Sequence, residues 1–164
     1  MKTKVLSLIV DNTAGVLSRV SGMFSRRGYN IDSLSVGVTE NPKISRMTVV
    51  VTGDDKILSQ IKSQLNKLED VRSVIELKDG ESVTRELVLI KIKADANERQ
   101  QIISIANVYR ANIVDVSPES IMVEITGNNN KVEAFMSLLE GFEIQELVRT
   151  GATGLVRGRA ESDE

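Results

Sequence analysis

The segment Asp11-Asn12-Thr13-Ala14-Gly15-Val16-Leu17-Ser18-Arg19-Val20 sets a glycine and small polar residues directly before an apolar helical pattern. A helix starting there presents unpaired backbone N–H groups, and Gly15 lets a ligand approach the main chain. The chemistry on offer is capture of an anion, and a carboxylate suits it. Asn12 adds a side chain that both donates and accepts, while Val16 and Leu17 add apolar surface. An ordinary capped loop is built from the same residue types. Gly28-Tyr29-Asn30-Ile31 is the natural complement, because in a side-by-side dimer Asn30 of one chain can meet this loop of the other. Taken alone, it also suits a turn residue that tolerates left-handed geometry.

Other chemistries find less support. The chain has no His and no Cys, which removes the commonest general base, the commonest metal ligand, disulfides and thiolate nucleophiles. The acidic groups Asp54-Asp55, Glu69-Asp70 and residues 161–164 lack liganding spacing, and the first sits at a helix start, where acids favour the dipole. Gly151-Ala152-Thr153-Gly154-Leu155-Val156-Arg157-Gly158 lacks the Gly-Lys-Ser/Thr ending of a phosphate loop and precedes no helix. Arg26-Arg27 closes a helix rather than forming a phosphate site.

The elements that must position these residues occur twice. Residues 4–10 form a β-branched-rich run that stops at Asp11-Asn12-Thr13. Val16, Leu17, Val20, Met23 and Phe24 recur at helical spacing up to Arg26-Arg27-Gly28, a basic helix end followed by a capping glycine. Residues 31–38 and 45–52 read as strands joined by a turn at Glu40-Asn41-Pro42-Lys43. Ile57, Leu58, Ile61, Leu65 and Leu68 mark a second helix, and residues 71–77 close the unit as a strand. The same β-α-β-β-α-β order returns with strands at 87–93, 112–116, 121–126 and 143–148. Its helices are marked by Ile102, Ile103, Ile105, Ala106 and Tyr109, and by Val132, Phe135, Met136 and Leu139. Tyr29-Asn30-Ile31-Asp32 corresponds to Ala111-Asn112-Ile113-Val114, and Val51-Thr52-Gly53 to Ile125-Thr126-Gly127.

The expected fold is therefore α+β, two ferredoxin-like βαββαβ domains in tandem. The first covers residues 1–78, a linker 79–83, the second 84–150 and a flexible tail 151–164. Units of about 75 residues have thin cores, and the first carries apolar residues on both strand faces (Val49-Val50-Val51), so a homodimer through the N-terminal domain is expected. Net charge is −2 with Lys and Arg scattered, which argues against nucleic acid. RNA-recognition motifs share the strand order but stack bases on exposed strand aromatics, and here Phe24, Tyr29, Tyr109, Phe135 and Phe142 fall on helices or at element ends. No run approaches a membrane span and no cleavage site follows residues 1–10, so a soluble cytoplasmic protein is expected.

Three segments carry a family resemblance: residues 12–27; Gly28-Tyr29-Asn30-Ile31-Asp32-Ser33-Leu34-Ser35-Val36-Gly37; and Ser45-Arg46-Met47-Thr48. With the ending Arg149-Thr150-Gly151-Ala152-Thr153-Gly154-Leu155-Val156-Arg157-Gly158, the chain resembles the acetohydroxyacid (acetolactate) synthase small subunit over nearly its whole length. The first unit is similar to an ACT domain, which binds amino acids where two copies meet. The resemblance implies a non-catalytic regulatory subunit in valine, leucine and isoleucine biosynthesis. Such a subunit activates a catalytic large subunit and confers feedback inhibition by valine or another branched-chain amino acid. This chain would hold no cofactor, and thiamine diphosphate, Mg²⁺ and FAD would sit on the large subunit. Carried over residue by residue, Asn12, Thr13, Ala14, Gly15, Val16, Leu17 and Ser18 fall in the effector loop and helix start, and Asn30 and Ile31 on the facing strand. The effector's carboxylate then meets backbone N–H groups around residues 12–16, its ammonium the Asn30 carbonyl of the other copy, and its side chain Val16, Leu17 or Ile31. Val38 stands where many relatives carry Pro. The alternative is a stand-alone ACT-type sensor of transcription or of another enzyme. The full-length match and the absence of a basic DNA-reading helix weigh against it.

Overall fold

A computed structural model describes residues 1–158 and resolves them into two compact units. The first unit comprises residues 1–84 together with the returning segment from residue 152, and the second comprises residues 85–151.

In the first unit the order is β1 (Lys2–Asp11), α1 (Val16–Arg26), β2 (Ile31–Val38), β3 (Ile44–Gly53), α2 (Asp55–Asn66) and β4 (Val71–Glu76). The strands form an antiparallel sheet in the order β2-β3-β1-β4. Strand alternation decides which side chains reach the helices. Leu6, Leu8 and Val10 of β1 and Met47, Val49 and Val51 of β3 are fully buried, in one cluster with Val20 and Phe24 of α1 and Leu58, Ile61 and Leu65 of α2. The buried α1 residues Val16, Val20, Met23 and Phe24 follow the three-to-four spacing of one helix face. Burying side chains of this size stabilises by about 1.5–3 kcal/mol each, which makes this face the main source of the unit's stability.

Helix α1 ends as its sequence dictates. Gly28 takes φ +69°, and the Tyr29 N–H donates to the Phe24 carbonyl at 3.0 Å while the Gly28 N–H donates to Ser25. This is a left-handed glycine closure that satisfies the last carbonyls. The second unit repeats the ending with Arg110 in the glycine's place, at φ 53°, and the Ala111 N–H donating to the Ala106 carbonyl at 2.8 Å.

The second unit takes β5 (Ser82–Lys93) from Arg85 onward, then α3 (Ala96–Val108), β6 (Asn112–Val116), β7 (Ser120–Gly127), α4 (Asn129–Leu138) and β8 (Ile144–Arg149), with sheet order β6-β7-β5-β8. Its core sets Val88, Ile90, Ile92, Ile121, Val123 and Ile125 against Ile102, Ala106, Val132 and Phe135. The α+β fold of two βαββαβ units is therefore as the sequence predicts. No helix among the described residues is long and apolar enough to cross a membrane.

Two segments differ from expectation. The linker expected over residues 79–83 is a turn through Gly80, and β5 already begins at Ser82. Residues 153–156 of the expected flexible tail form strand β9 (Thr153–Val156), which pairs with β5. A Gly-rich stretch has no pattern of its own to order it. Here its backbone groups find partners on other elements, which is what keeps backbone in place. The acidic group at residues 161–164 lies outside the described residues.

Candidate functional site

The β1–α1 loop is exposed from residue 12 to residue 15 and is held from both sides. On the hairpin side the Asn12 N–H donates to the Lys43 carbonyl at 2.8 Å, and Asn12 Nδ2 donates to the Pro42 carbonyl at 2.9 Å. On the β4 side the Asp11 N–H donates to the Asp70 carbonyl at 2.9 Å, and Arg72 Nε bonds Asp11 Oδ1 at 2.5 Å. A second ion pair joins Arg19 Nε to Asp70 Oδ2 across the same junction. Two ion pairs and three hydrogen bonds thus fix a loop whose composition alone suggests flexibility.

Gly15 is the N-cap of α1, with φ +83° and ψ −2°. Only glycine adopts this left-handed geometry without steric cost. The consequence is a helix start with no side-chain cap. The other three helices each have one: Asp54 accepts from Ile57, Asp95 from Glu98 and Asn128 from Lys131. At α1 the first intrahelical bond runs from Arg19 N–H to the Gly15 carbonyl at 3.0 Å, and Val16 N–H reaches only the Thr13 carbonyl at 3.4 Å. The N–H groups of Leu17 and Ser18 find no acceptor among the described residues. Unpaired donors and the positive end of the helix dipole therefore converge on an open loop.

Arg19 strengthens this positive character. Its Nη2 donates to the Ala14 carbonyl at 3.3 Å, and its Nη1 stands 2.9 Å from the point where a Cβ on Gly15 would be. The hydrogen bond Arg19 donates to Asp70, followed by that carboxylate's field, holds the guanidinium even more firmly protonated than usual. In the sequence, Arg19 is marked only by its one-turn spacing from Gly15, which points its side chain back over the loop.

The remaining site residues distribute as follows. Thr13, Ala14 and Ser18 are exposed around the helix start. Val16 is committed to the core at 7% exposure, whereas Leu17 is 45% exposed and free to meet a ligand. Ile31 packs against the core from β2, and Asn30 is exposed just before it. Within one copy Asn30 lies at the far end of the sheet from the loop. Ile31 pairs with Val51 and Val51 with Lys4, while the loop follows Asp11, which pairs with Ile44. Seven strand positions separate the two ends, roughly 23 Å. One chain therefore does not bring Asn30 to residues 12–18.

The acidic groups are in structural use. Asp54 caps α2, Asp55 pairs with Lys2 at 3.0 Å, and Asp70 holds Arg19. Among the described residues no three His, Cys, Asp or Glu side chains cluster as a metal site.

Comparison with known proteins bears on both units. Residues 85–158 match the family described as the small subunit of acetolactate synthase, and residues 6–73 match the AHAS small subunit-like ACT domain. The chain belongs to the acetolactate synthase small-subunit family. It is 52% identical over 157 residues to the acetolactate synthase small subunit of Mycobacterium bovis, covering 96% of this chain and 94% of that one. A probable acetolactate synthase small subunit from Methanothermobacter thermautotrophicus is 48% identical over 157 residues, with 95% and 94% covered. The crystal structure of the Thermotoga maritima small subunit superposes with a TM-score of 0.87 at 38% identity, over 97% of this chain and 99% of that one. The first unit of this small-subunit family member is thus an ACT domain, and the uncapped α1 start belongs to it.

Proposed function

We propose that this chain is the non-catalytic regulatory subunit of an acetolactate synthase. In this reading it binds a branched-chain amino acid, valine first among them, activates a separate catalytic subunit and makes that enzyme sensitive to the end product. The catalytic subunit carries thiamine diphosphate, Mg²⁺ and FAD, and this chain carries no cofactor. The observation that carries the effector site is the start of α1, where free Leu17 and Ser18 N–H groups, the left-handed Gly15 and the seated Arg19 surround an exposed loop. A ligand carboxylate satisfies those donors, and the exposed face of Leu17 receives its branched side chain.

The edge of the sheet supports completion of the site by a second copy. Strand β2 is an edge, and its Val36 and Val38 are 48% and 62% exposed. Two copies joined antiparallel through their β2 edges, centred on Leu34, set Asn30 of one beside Val38 of the other. Val38 pairs with Ser45, close to where the loop leaves β1. The Asn30 carbonyl of one copy then reaches the ammonium of an amino acid held by the loop of the other. Pairing also removes an exposed apolar edge.

Regulation requires unequal affinity. Valine inhibits only by binding the less active complex more tightly than the active one. The test is reconstitution. The purified chain alone should form no acetolactate and should raise the rate of its catalytic subunit, and calorimetric titration with valine, leucine and isoleucine should show binding of at least one. No change in the catalytic subunit's rate on titrating in this chain would overturn the regulatory reading. Absence of heat with all three amino acids would overturn the effector reading.

A further inference from the structure

Segment 152–157 returns to the first unit and fastens to it by contacts of an unusual kind. Ser35 Oγ donates to the Ala152 carbonyl at 3.0 Å, and the Ala152 N–H donates to Ser33 Oγ at 3.3 Å. Both backbone groups of Ala152 are therefore satisfied by side chains of β2 rather than by a strand ladder. Further along, Gly154 lies where a Cβ would stand 2.5 Å from the Val83 carbonyl oxygen and 3.1 Å from Leu77 Cδ1. The Arg157 N–H donates to the Glu81 carbonyl at 2.8 Å. Between Ala152 and Arg157 the segment pairs with β5 as β9 and fits closely at Gly154, so only its Ala152 end depends on side chains of β2.

The two serines that anchor it sit beside the effector residues through a break in the strand. The β2–β3 register shifts between Ile31 and Ser33. Residues two apart in a regular strand point to the same face. Here Ile31 opposes Val51 and packs into the helix-side core, whereas Ser33 opposes Val50 on the other face. Asp32, the extra residue, is held by a 2.5 Å hydrogen bond from Thr52 Oγ1. The helix-free face is closely packed near these anchors. Ser35 pairs with Thr48, which is 1% exposed, and Thr48 pairs with Ser7, which is 0% exposed and accepts from Arg46 Nη1 at 2.7 Å. A bulge is where a strand can change its local course without losing the whole ladder.

We propose that segment 152–157 is a strap whose seating on Ser33 and Ser35 reports the position of β2 and relays effector occupancy to the regulation of the catalytic subunit. A ligand that contacts Asn30 and Ile31 loads one side of the bulge, and the strap's anchors hang from the other. Because the anchors are two hydroxyl groups, seating and release are small changes with a defined geometry. The inference rests on the effector reading given above.

The test compares wild type, Ser33→Ala/Ser35→Ala and Gly154→Val, each as full chain reconstituted with the catalytic subunit. Amide exchange over residues 152–157 reports strap release, calorimetry reports valine binding, and residual activity at saturating valine reports the relay. Both variants should accelerate exchange of the strap by at least about tenfold. Both should still bind valine while losing about half or more of the inhibition reached at saturation. In wild type, valine should change strap exchange measurably. A strap that is released while inhibition stays complete overturns the proposal, as does wild-type strap exchange indifferent to bound valine. If Gly154→Val fails to fold, the serine pair, which leaves every backbone bond of β2 in place, decides alone. If wild type binds no valine, the effector reading itself is wrong. The strap is then judged by the basal rate, which release should change about threefold or more if it relays to the partner and leave unchanged if it does not.

Discussion

Substituting Gly15 by Asp perturbs the proposed effector site in three separable ways. Its φ of +83° is left-handed, where a residue with a Cβ pays roughly 1–2 kcal/mol. An Asp at a normal helix N-cap recovers such a loss by accepting from the second or third N–H, but that geometry needs an extended N-cap, as at Asp54 with φ −78° and ψ 171°. At Gly15 the compensation fails and the strain stays. The new Cβ would also stand 2.9 Å from Arg19 Nη1, so the guanidinium must shift, and the new carboxylate competes with Asp70 for it. Finally, a fixed negative charge occupies the space assigned to the ligand carboxylate. Loss of a charge-assisted contact and its replacement by repulsion should weaken valine binding more than tenfold, about 1.4 kcal/mol or more. A strain of about 1–2 kcal/mol is well below the 5–15 kcal/mol of a typical domain, so the variant should fold. Gly80→Asp is the control, because Gly80 has φ +80° with nothing within 4 Å of its Cβ position. It carries the same backbone cost with no ligand nearby. Calorimetry, inhibition of the reconstituted enzyme and sedimentation together read the outcome. Gly15→Asp should activate the catalytic subunit without valine inhibition, and Gly80→Asp should keep both. A Gly15→Asp chain that is dimeric and inhibited at wild-type valine concentrations refutes the assignment.

Three further outcomes are expected. Val36→Glu/Val38→Glu sets a carboxylate at position 36 opposite Asp32 of the second copy and charges the apolar edge that pairing covers, so the chain should sediment as a monomer at micromolar concentration and lose valine affinity with its second-copy Asn30; a valine-binding monomer would count against the shared site. Arg110→Gly should stabilise the second unit by about 0.5–1 kcal/mol in denaturant unfolding, since the left-handed cost at φ 53° exceeds the flexibility glycine adds to the unfolded chain. Glu146 accepts a 2.6 Å hydrogen bond from Lys91 and is held below the ordinary glutamate range by that bond and by the lysine's charge. A lowered folded-state value means the pair supports folding above the unfolded glutamate's value and stops doing so as pH falls through the folded one, so carboxyl NMR should place Glu146 low in wild type and return it to the ordinary range in Lys91→Ala.

Sequence patterning alone reveals the repeat because each element carries its own period. Leu6, Leu8 and Val10 alternate, Val16, Val20, Met23 and Phe24 recur by helical turns, and all are buried as that periodicity requires. The loop at residues 12–15 is legible for the same local reason, since Gly15 before an apolar helix marks both the break and the open backbone. What patterning does not carry is partnership at a distance. The Asn12 amide group is spent on Pro42, thirty residues away, and Arg19 is seated by Asp70, fifty-one residues away. Neither pairing has a local signature. Strand β9 is missed for the same cause: Thr153-Gly154-Leu155-Val156 has too little alternation to announce a strand, and its order comes from Ser33, Ser35 and the 82–84 stretch of β5. The separation of Asn30 from the loop needs the register of three strands, which no single-strand pattern encodes.

The discontinuity of the first unit also governs the order in which it can be finished. A ribosome delivers residues 1–84 first, then the whole of residues 85–151, and only afterwards the piece that closes on Ser33 and Ser35. Domains fold largely as they emerge, N-terminal first. The sheet and its two helices can therefore form early, but Ser33 and Ser35 wait until Ala152 has been made to meet their backbone partners. A nascent or prematurely halted chain displays the helix-free face of that sheet with the segment missing. Arrival of residue 152 is thus written into the surface of the ACT domain, where chaperones and proteases can read it.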